Sequence, residues 1–439
     1  MSDFKALYAE RLMAADQAAA TIADGSKLAM GLGLSQPPAL MRALADRALA
    51  GDIADVNLYY MLGFQNAGES ILQYEVTERI RPYSLFHGGI ERALDKRGLA
   101  EGRQGVWYIP TSFQQVPSVL VDQVKVDTLI TTVSPMDEDG YLSFGLNPDY
   151  AMAVARSGAR LVLEVNENFP RVGGDNRIHI SQVAAVVENT VPLIEVGKAA
   201  LTSNDEKIGA IIADMIEDGA TLQMGIGALP DAVCAALFNH KDLGIHTELM
   251  TPGLIELMKA GVINNSRKNI HKGKAVFAFA MGSHDDYAFI NENPDFEGYG
   301  VDYINNPAVI AQNDKVVSVN ATLQVDLFGA ACSEYLNGRQ FTAAGGQLDF
   351  VRGAGMSKGG KSIIACHSTA AKGKVSRIVS KLDGPVTTPR NDVQWVVTEH
   401  GAVNLRGLTD SERARALIGI ADPSFRESLE ADAKALGLI

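Results

Sequence analysis

One glutamate in the second half of the chain, Glu248, stands where a carboxylate could react. It lies in the run KDLGIHTELMTPG, 23 residues after Gly225. That separation accommodates about one helix and one strand, which would return Glu248 to the same sheet edge as the glycine turn at Gly225. A carboxylate there can act as base, nucleophile or ligand. A glutamate at a helix start or on the surface is the commoner interpretation of such a residue.

Glycine turns offer backbone N–H groups to an anionic ligand. The turn Gly225–Gly227 leads into a helical pattern, so its amides and the helix dipole could cradle a diphosphate, although it matches neither GxGxxG nor a Walker loop. Gly345 and Gly346 could present N–H groups as an oxyanion hole. Asn320 and Gln324 interrupt an apolar, strand-like run, where capping a strand end explains an asparagine as well as function does.

Basic residues and histidines give weaker signals. The segment SKGGKSIIACHSTAAKGK places four lysines in an acidic chain, a pattern typical of a solvated loop. The chain has eight histidines, and none is paired at metal-ligand spacing, so structural roles are favoured for most of them. The histidines in question include His87, His179, His246 and His367.

Composition restricts the function classes. The net charge is −13 and no Lys/Arg-rich run is present, which argues against a nucleic-acid partner. Cys234, Cys332 and Cys366 are widely spaced, so neither a disulfide framework nor a zinc site is indicated. No stretch approaches the roughly 20 apolar residues of a membrane span, and the N-terminal segment is charged throughout. We therefore expect a cytoplasmic protein without a membrane partner.

An internal repeat organises the chain. Residues 22–33 read IADGSKLAMGLG and residues 216–227 read IEDGATLQMGIG, with seven of twelve positions identical. Each copy continues into a Pro-containing turn and a helical pattern. With 439 residues the chain also exceeds the size of a single core. The repeat predicts two tandem domains of similar fold, 1–195 and 196–439.

Strands and helices alternate within each half. Short β-branched, apolar runs such as DTLITTVS, RLVLEV, KAVFAFAM, KVVSVN and KSIIAC are typical of buried strands. Helical patterns such as PDYAMAVARSG and NDEKIGAIIADMIEDG lie between them. The alternation predicts an α/β fold with mainly parallel sheets, in which ligands gather at the carboxyl ends of the strands. SERARALIGI and SFRESLEADAKALG predict two C-terminal helices that pack on the second domain.

Several segments together resemble the acetyl-CoA hydrolase/transferase family, a group of class I CoA-transferases, and in particular its 4-hydroxybutyrate branch. The matching stretches run in order along nearly the whole chain: VSPMDEDGYLSFG, EVNENFPRVGGD, GIGALPDAV, HKDLGIHTEL, INNPAVIAQNDKVVSVNATLQVDLFG, AAGGQLDFVRGA and NDVQWVVTEHGAVNLRG. The resemblance implies two tandem α/β domains of the NagB/RpiA-like CoA-transferase fold, with the active site in a cleft between them.

The resemblance also implies roles for individual residues. Glu248 would be the nucleophile, Gly346 the oxyanion-hole glycine and Asn320 the auxiliary asparagine. Coenzyme A binding is implied for Gln223, Met224, Gly225, Ile226, Gly227, Thr342, Gly346 and Lys372. The implied reaction is a ping-pong transfer of CoA through a glutamyl-CoA thioester, which needs no metal and no redox cofactor.

The carboxylic acid is left open at this stage. Besides 4-hydroxybutyrate, the candidates are succinate, itaconate, acetate, propionate and butyrate, with acetyl-, butyryl- or succinyl-CoA as donor. Gln36, Pro37 and His87 are candidates for the acid-binding wall. A dicarboxylic acid would need a further cation, for which Arg171 and Arg352 are candidates.

Three alternatives remain beside the transferase. An acyl-CoA hydrolase would share Glu248 and use water to resolve the intermediate. A non-catalytic CoA-sensing protein would be supported by a missing nucleophile, but Glu248 is present. A sugar-phosphate isomerase on a related fold would have a single domain, which the repeat argues against. The family also implies a homodimer or a dimer of dimers.

Overall fold

The computed structural model describes residues 4–439 and divides the chain into two compact units. The first comprises the described residues up to Val196 together with Ala278–Tyr303. The second comprises Gly197–Phe277 together with Ile304–Ile439. Each unit has its own parallel sheet, so the prediction of an α/β fold in two tandem domains is confirmed.

The first unit is built on a seven-stranded, fully parallel sheet. In spatial order its strands are Val183–Glu188, Arg160–Val165, Thr128–Val133, Lys27–Met30, Val56–Tyr60, Ile80–Ser84 and Trp107–Tyr108. The α-helices of this unit with six or more residues are Phe4–Arg11, Ala15–Ala20, Pro38–Ala50, Gly89–Glu101, Ala151–Arg156 and His284–Ile290, and Val119–Val124 forms a π-helix. The apolar faces of the sheet and helices form a core that includes Leu28, Met41, Leu58 and Ile130.

The second unit has five adjacent parallel strands and one antiparallel edge strand. In spatial order these are Gly401–Asn404, Trp395–Thr398, Lys361–Ala365, Val316–Ala321, Thr221–Met224 and Gly244–Met250. The strand Ala275–Ala280 contains the point where the chain passes from the second unit to the first. The helices of this unit with eight or more residues are Ser203–Asp214, Ala228–Ala236, Pro252–Lys259, Gln347–Met356, Asp410–Gly419 and Pro423–Ala435.

Short strands complete both units. In the first, Tyr141–Ser143 pairs antiparallel with Arg177–His179, and Gly173–Gly174 pairs in parallel with Phe296–Gly298. In the second, the short strands form three small sheets. Their bounds are Gln324–Asp326, Ala331–Cys332 and Ile378–Val379 in one, Tyr335–Leu336 and Arg339–Gln340 in another, and Thr369–Ala370 and Val375–Ser376 in the third.

The internal repeat corresponds to the same local structure in both units. In the first copy the strand Lys27–Met30 leads through a glycine turn to the helix Pro38–Ala50. In the second copy Thr221–Met224 leads through Gly225–Gly227 to Ala228–Ala236. Each repeated strand lies inside its sheet with parallel neighbours on both sides. The glycine turns therefore lie at the carboxyl ends of interior strands.

The observed division differs from the predicted 1–195 and 196–439 in one segment. The cut near residue 196 is the same to within one residue, but Ala278–Tyr303 belongs to the first unit. The physical reason is pairing across a long stretch of sequence: Glu297 and Gly298 lie opposite Gly173 and Gly174. The internal repeat gives no indication that Ala278–Tyr303 belongs to the first unit.

The C-terminal helices close the core of the second unit. Pro423 takes the first position of the last helix, and Asp422 caps it by accepting a hydrogen bond from the Ser424 amide. Leu417 and Leu429, one from each helix, pack with Val396 and Ile364 of the sheet. Among residues 4–439, no helix is both long and apolar enough to cross a membrane.

Candidate active site

Glu248 lies near the carboxyl end of the strand Gly244–Met250, which we call the Glu248 strand. This strand runs parallel to Thr221–Met224, with Thr221 opposite Gly244. Three residues after Glu248, the Thr251 hydroxyl caps the helix Pro252–Lys259 by accepting a hydrogen bond from the Leu254 amide. The strand therefore ends at a fixed point just beyond Glu248. This glutamate lies neither at the start of a helix nor on an open surface.

Two hydrogen-bond donors hold the Glu248 carboxylate. Nδ2 of Asn305 donates to Oε2 at 2.6 Å, and the backbone N–H of Gly346 donates to the same carboxylate. Gly346 immediately precedes the helix Gln347–Met356, whose N-terminus favours a negative charge. A Cβ atom at position 346 would lie 1.8 Å from Oε2, so only glycine allows this close approach. The two donors are positioned for a carbonyl oxygen that gains negative charge.

The environment of Glu248 favours its protonated form. The pKa of Glu248 is raised from 4.5 to about 8, chiefly by burial and further by the nearby charge of Asp349, against the opposing hydrogen bonds from Asn305 and Gly346. The side chain keeps part of its surface accessible although protein atoms surround the carboxyl group. Oδ2 of Asp349 lies 3.4 Å from Nδ2 of Asn305, so one amide lies between two carboxylates.

His246 fixes the backbone next to Asn305. It precedes Glu248 by two residues and therefore shares its side of the strand. Its Nε2 donates to the carbonyl oxygen of Ile304 at 2.8 Å. Burial lowers the pKa of His246 to about 3, so the ring is neutral at working pH. This histidine orients the segment that carries Asn305.

The glycine turn after Thr221–Met224 stands beside the end of the Glu248 strand. The Gly225 amide donates to the carbonyl of Val319 at 2.9 Å, which holds the start of the turn against the neighbouring strand. Gly227 has φ +110° and ψ −175°, a conformation that side-chain-bearing residues avoid. Ile226 between them is 58% exposed, while Met224 before the turn is buried. The placement of the turn agrees with the prediction.

Asn320 pairs with another side-chain amide, and its role as the auxiliary asparagine stays a prediction. Its side chain forms a reciprocal amide pair with Gln223, with distances of 3.1 and 3.3 Å, and also donates to Ser318. The strand of Asn320 is separated from the Glu248 strand by Thr221–Met224. The amide that contacts Glu248 belongs to Asn305. Asn320 follows an apolar run and Asn305 follows the mixed segment Val301–Ile304, so the sequence pattern drew attention to Asn320.

Thr342 lines a cavity of about 300 Å³ together with Ile226 and Gly227. Its hydroxyl donates to the carbonyl of Ser333 at 3.0 Å. Lys372 is exposed in the loop between Thr369–Ala370 and Val375–Ser376, with φ +59°. The structure thus brings Ile226, Gly227 and Thr342 to the lining of one cavity. CoA binding by these residues and by Gln223, Met224, Gly225, Gly346 and Lys372 stays a prediction.

The candidates for acid binding lie in the first unit and have structural partners there. Both ends of the Gln36 amide bind the backbone, at Phe64 and at Leu62. His87 is 2% exposed and its Nε2 lies 2.8 Å from Asp95. Pro37 precedes the helix Pro38–Ala50 and is buried. Their contact with an acid stays a prediction.

The two candidate cations already have acidic partners. Arg171 pairs with Asp137 at 3.2 Å, and Arg352 pairs with Asp392 at 3.0 Å. Arg352 lies on the helix Gln347–Met356, three residues after Asp349. Contact of either guanidinium with a dicarboxylic acid stays a prediction.

Asn305, Asp349 and His246 were not selected from the sequence, although the first two lie in the matching stretches INNPAV and AAGGQLDF. Their roles depend on contacts between residues far apart in the chain. Asn320 was selected because it interrupts an apolar, strand-like run.

The chain matches two family models. The acetyl-CoA hydrolase/transferase N-terminal domain matches residues 1–195, and the corresponding C-terminal domain matches residues 282–433.

Similar proteins are CoA-transferases over nearly the full length. The 4-hydroxybutyrate coenzyme A transferase of Clostridium kluyveri is 44% identical and covers 97% of this chain and 98% of that protein. The succinyl-CoA:cyclohexane-1-carboxylate CoA transferase of Geobacter metallireducens is 40% identical and covers 98% and 97%. Among solved structures, RipA from Yersinia pestis superposes with a TM-score of 0.97 at 52% identity, covering 100% of both chains.

Proposed function

Because this chain belongs to the acetyl-CoA hydrolase/transferase family and is a CoA-transferase, we propose that Glu248 is its covalent nucleophile and that 4-hydroxybutyrate is an acceptor acid. The observation that carries the proposal is the placement of Glu248 at a strand end with two donors on its carboxylate, Asn305 and the Gly346 amide.

The first half-reaction loads CoA onto Glu248. An oxygen of the ionised carboxylate attacks the thioester carbonyl carbon, the C–S bond breaks, and CoA leaves as a thiolate. The product is a mixed anhydride between the acyl group and Glu248. The thiolate then attacks the Glu248 carbonyl carbon and the anhydride C–O bond breaks. The first acid leaves as a carboxylate, and Glu248 is now a glutamyl-CoA thioester.

The second half-reaction reverses these steps with another acid. Its carboxylate attacks the glutamyl carbonyl, the thiolate leaves, and the thiolate then attacks the new acyl carbonyl. The new acyl-CoA departs and Glu248 is again a free carboxylate. Protons and electrons balance without a metal or a redox cofactor, and the absence of both from the reaction is part of the proposal.

Asn305 and Gly346 stabilise the oxyanions of this sequence. When the thiolate attacks the Glu248 carbonyl, negative charge develops on a carboxyl oxygen that these donors already contact in the free enzyme. A preorganised donor of this type contributes roughly 3–4 kcal/mol. The pKa of Glu248 is raised because protein atoms rather than water surround the carboxyl group, and the two donors act in that same environment.

The acceptor acid is tested by an exchange assay. In parallel reactions, acetyl-CoA and the wild-type protein are mixed with one acid: 4-hydroxybutyrate, succinate, itaconate, propionate or butyrate. Each new acyl-CoA is then separated from acetyl-CoA and free CoA. We expect 4-hydroxybutyryl-CoA to form fastest. If succinyl-CoA or itaconyl-CoA formed faster, succinate or itaconate would take the place of 4-hydroxybutyrate as the proposed acceptor acid. The proposed covalent route would be unaffected.

The same assay separates transfer from hydrolysis. Free CoA thiol that accumulates at the same rate with and without an acceptor acid would identify an acyl-CoA hydrolase. Exchange that depends on the acid, with little thiol release, supports the transferase. Glu427→Ala serves as a matched control, because Glu427 is an exposed glutamate on the last helix.

Location and assembly are two further parts of the proposal. The acidic composition and three buried cysteines without disulfide partners support a reducing, cytoplasmic location. A homodimer or a dimer of dimers stays a prediction, to be checked by light scattering.

A further inference from the structure

Residues 31–37 form the glycine turn of the first repeat copy, which we call the first glycine turn, and lead into the helix Pro38–Ala50. This helix follows Pro37 and opens with a second proline, so neither residue can cap it with a side-chain oxygen. The N–H groups at the start of a helix need acceptors, and the helix dipole favours a negative charge there. The start of this helix therefore leaves a position for an anion.

A glutamate from another strand fills that position. Oε2 of Glu164 accepts hydrogen bonds from the backbone amides of Ala39 and Leu40, at 3.0 Å each. Oε1 accepts a hydrogen bond from Nδ2 of Asn189 at 2.7 Å. The side chain of Glu164 is fully buried, and Glu164 lies 125 positions from Ala39 in the chain. All three partners are N–H donors, which is the set that an ionised carboxylate needs.

Burial and hydrogen bonding act in opposite directions on this carboxyl group. Burial raises the pKa of Glu164, while the hydrogen bonds from Asn189 and from the two helix amides oppose that shift. Hydrogen bonds to an ionised acceptor are stronger than those between neutral groups. Removal of the carboxylate would leave the amides of Ala39 and Leu40 without this acceptor, which costs free energy.

The second repeat copy has no carboxylate at the corresponding position. From Met30, one strand across, two residues along and one further strand across leads to Glu164. The same steps from Met224, the counterpart of Met30 in the repeat, lead to Ala365. An alanine therefore stands in the second unit where the first unit has Glu164. The carboxylate is a feature of the first unit and is not required by the repeated fold.

Glu164 fixes one end of the segment that carries Gln36 and Pro37. The hydroxyl of Thr132, which lies opposite Glu164 in the neighbouring strand, donates to the carbonyl of Gln36 at 3.4 Å. Pro37 follows, and the helix begins one residue later at the amides that Glu164 holds. The two neighbouring strands thus hold this segment from both ends, one through a hydroxyl and the other through a carboxylate.

We propose that Glu164 is a built-in anionic ligand of the helix Pro38–Ala50, and that it is a positioning residue for binding of the acceptor acid. Gln36 and Pro37 are predicted to contact that acid, and Glu164 fixes the point at which their segment enters the helix. Without the carboxylate, the start of the helix loses its cap and the segment before it is no longer held in place. This inference rests on the proposed function.

The test measures CoA exchange between acetyl-CoA and the acid that wild type uses fastest, in wild type, Glu164→Ala and Glu164→Gln. We expect KM for the acid to rise about tenfold or more in Glu164→Ala, because displaced groups bind the acid less tightly. KM for acetyl-CoA should stay near its wild-type value. Glu164→Gln keeps an acceptor oxygen but no charge, so its KM for the acid should be intermediate.

An added anion should restore the alanine variant. Nitrate is planar and negatively charged like a carboxylate, but it is not a carboxylic acid and cannot accept CoA. We expect nitrate to lower KM for the acid and to raise the thermal midpoint of Glu164→Ala. It should change neither value in wild type, where Glu164 already occupies the position. A bulky sulfonate at the same ionic strength controls for the general effect of salt.

Glu167→Ala is the matched control, because Glu167 is an exposed glutamate three residues further along the chain. Its kcat and both KM values should equal those of wild type. If Glu164→Ala melts below the assay temperature, Glu164→Gln decides the question by the same comparison of the two KM values. A purely structural role would lower kcat through loss of folded protein and leave KM for the acid unchanged.

Two outcomes would overturn the assignment. A wild-type KM for the acid in Glu164→Ala, or an equal rise in both KM values, would exclude a positioning role in acid binding. A raised KM that nitrate does not lower would mean that packing rather than an anion fixes the segment. Failure of the proposed function is distinguishable, because it would appear as absent exchange in wild type or as full exchange in Glu248→Ala.

Discussion

Nδ2 of Asn305 lies 2.6 Å from Oε2 of Glu248, and these two residues are 57 positions apart in the chain. The same amide nitrogen is 3.4 Å from Asp349. The amide thus stabilises charge on Glu248, while Asp349 opposes that charge and helps raise the pKa of Glu248. The balance between these two neighbours determines how readily the nucleophile ionises.

Asn305→Ala should lower kcat about 10²- to 10³-fold, because an oxyanion donor is lost. The adjacent Asn306 provides a matched control: its side chain accepts a hydrogen bond from the Ala308 amide and caps a short helix. Asn306→Ala should cost stability and leave kcat near wild type. Steady-state exchange kinetics with a thermal melt of each variant check both. Equal kcat values for the two variants would show that Asn305 does not act as an oxyanion donor.

Asn320→Ala should have a much smaller effect on kcat than Asn305→Ala. Its amide pairs with Gln223 beside the glycine turn rather than with Glu248. We expect Asn320→Ala to act mainly on KM for acyl-CoA, because the substitution disturbs that turn. A loss of kcat as large as that of Asn305→Ala would restore the auxiliary role to Asn320.

Asp349→Asn should move the pH dependence of the reaction to lower pH. Reaction with acyl-CoA needs the ionised Glu248, whose pKa of about 8 is raised first by burial and then by the charge of Asp349. In wild type the rate of adduct formation should therefore rise through pH 8. Removing the negative charge lowers that pKa, so the variant should reach its plateau at lower pH. An unchanged midpoint in single-turnover measurements would exclude this coupling.

Gly346→Ala should abolish transfer, since its Cβ would occupy the position of the Glu248 carboxylate. Gly419→Ala is the matched control: it lies at the end of the helix Asp410–Gly419, and no atom lies within 4 Å of the added Cβ. Exchange activity and far-UV circular dichroism of both variants test this. A fully active Gly346→Ala protein would contradict the close approach between this glycine and Glu248.

Glu248→Gln should stabilise the protein at high pH. The pKa of Glu248 is 4.5 in an unfolded chain and about 8 in the fold, so the folded state holds its proton more tightly. The stability from that proton is fully present below pH 4.5 and is lost as pH rises through 8. At pH 9 the variant should exceed wild type by on the order of 2 kcal/mol, given the partial exposure of the side chain. At pH 5 denaturant unfolding should give nearly equal free energies.

Local sequence patterns were sufficient to predict much of the fold. The runs RLVLEV and KSIIAC form strands at Arg160–Val165 and Lys361–Ala365, because continuous apolar runs are buried on both faces of a parallel sheet. The repeated glycine turns stand at strand ends in both units for the same local reason. The excursion Ala278–Tyr303 was not predicted, since its placement depends on pairing with Gly173–Gly174, far away in the sequence.

The candidate site was predicted in part. Glu248 and Gly346 lie in distinctive segments and lie together in the structure. Asn305 was missed because it follows the short helix Val301–Ile304, and nothing local to it indicates its contact with Glu248, 57 positions away in the chain. His246 looked like an ordinary buried histidine. Its function as an anchor depends on the carbonyl of Ile304, 58 residues further along the chain.

Detection of the covalent intermediate on Glu248 tests the proposed mechanism most directly. Wild type, Glu248→Ala and the control Glu427→Ala are each mixed with acetyl-CoA, and intact mass is measured before and after borohydride reduction. We expect a CoA adduct formed with loss of water on wild type and Glu427→Ala, and conversion of the Glu248 thioester to an alcohol on reduction. The absence of an adduct on wild type, or unchanged exchange by Glu248→Ala, would contradict the assignment of Glu248 as the nucleophile.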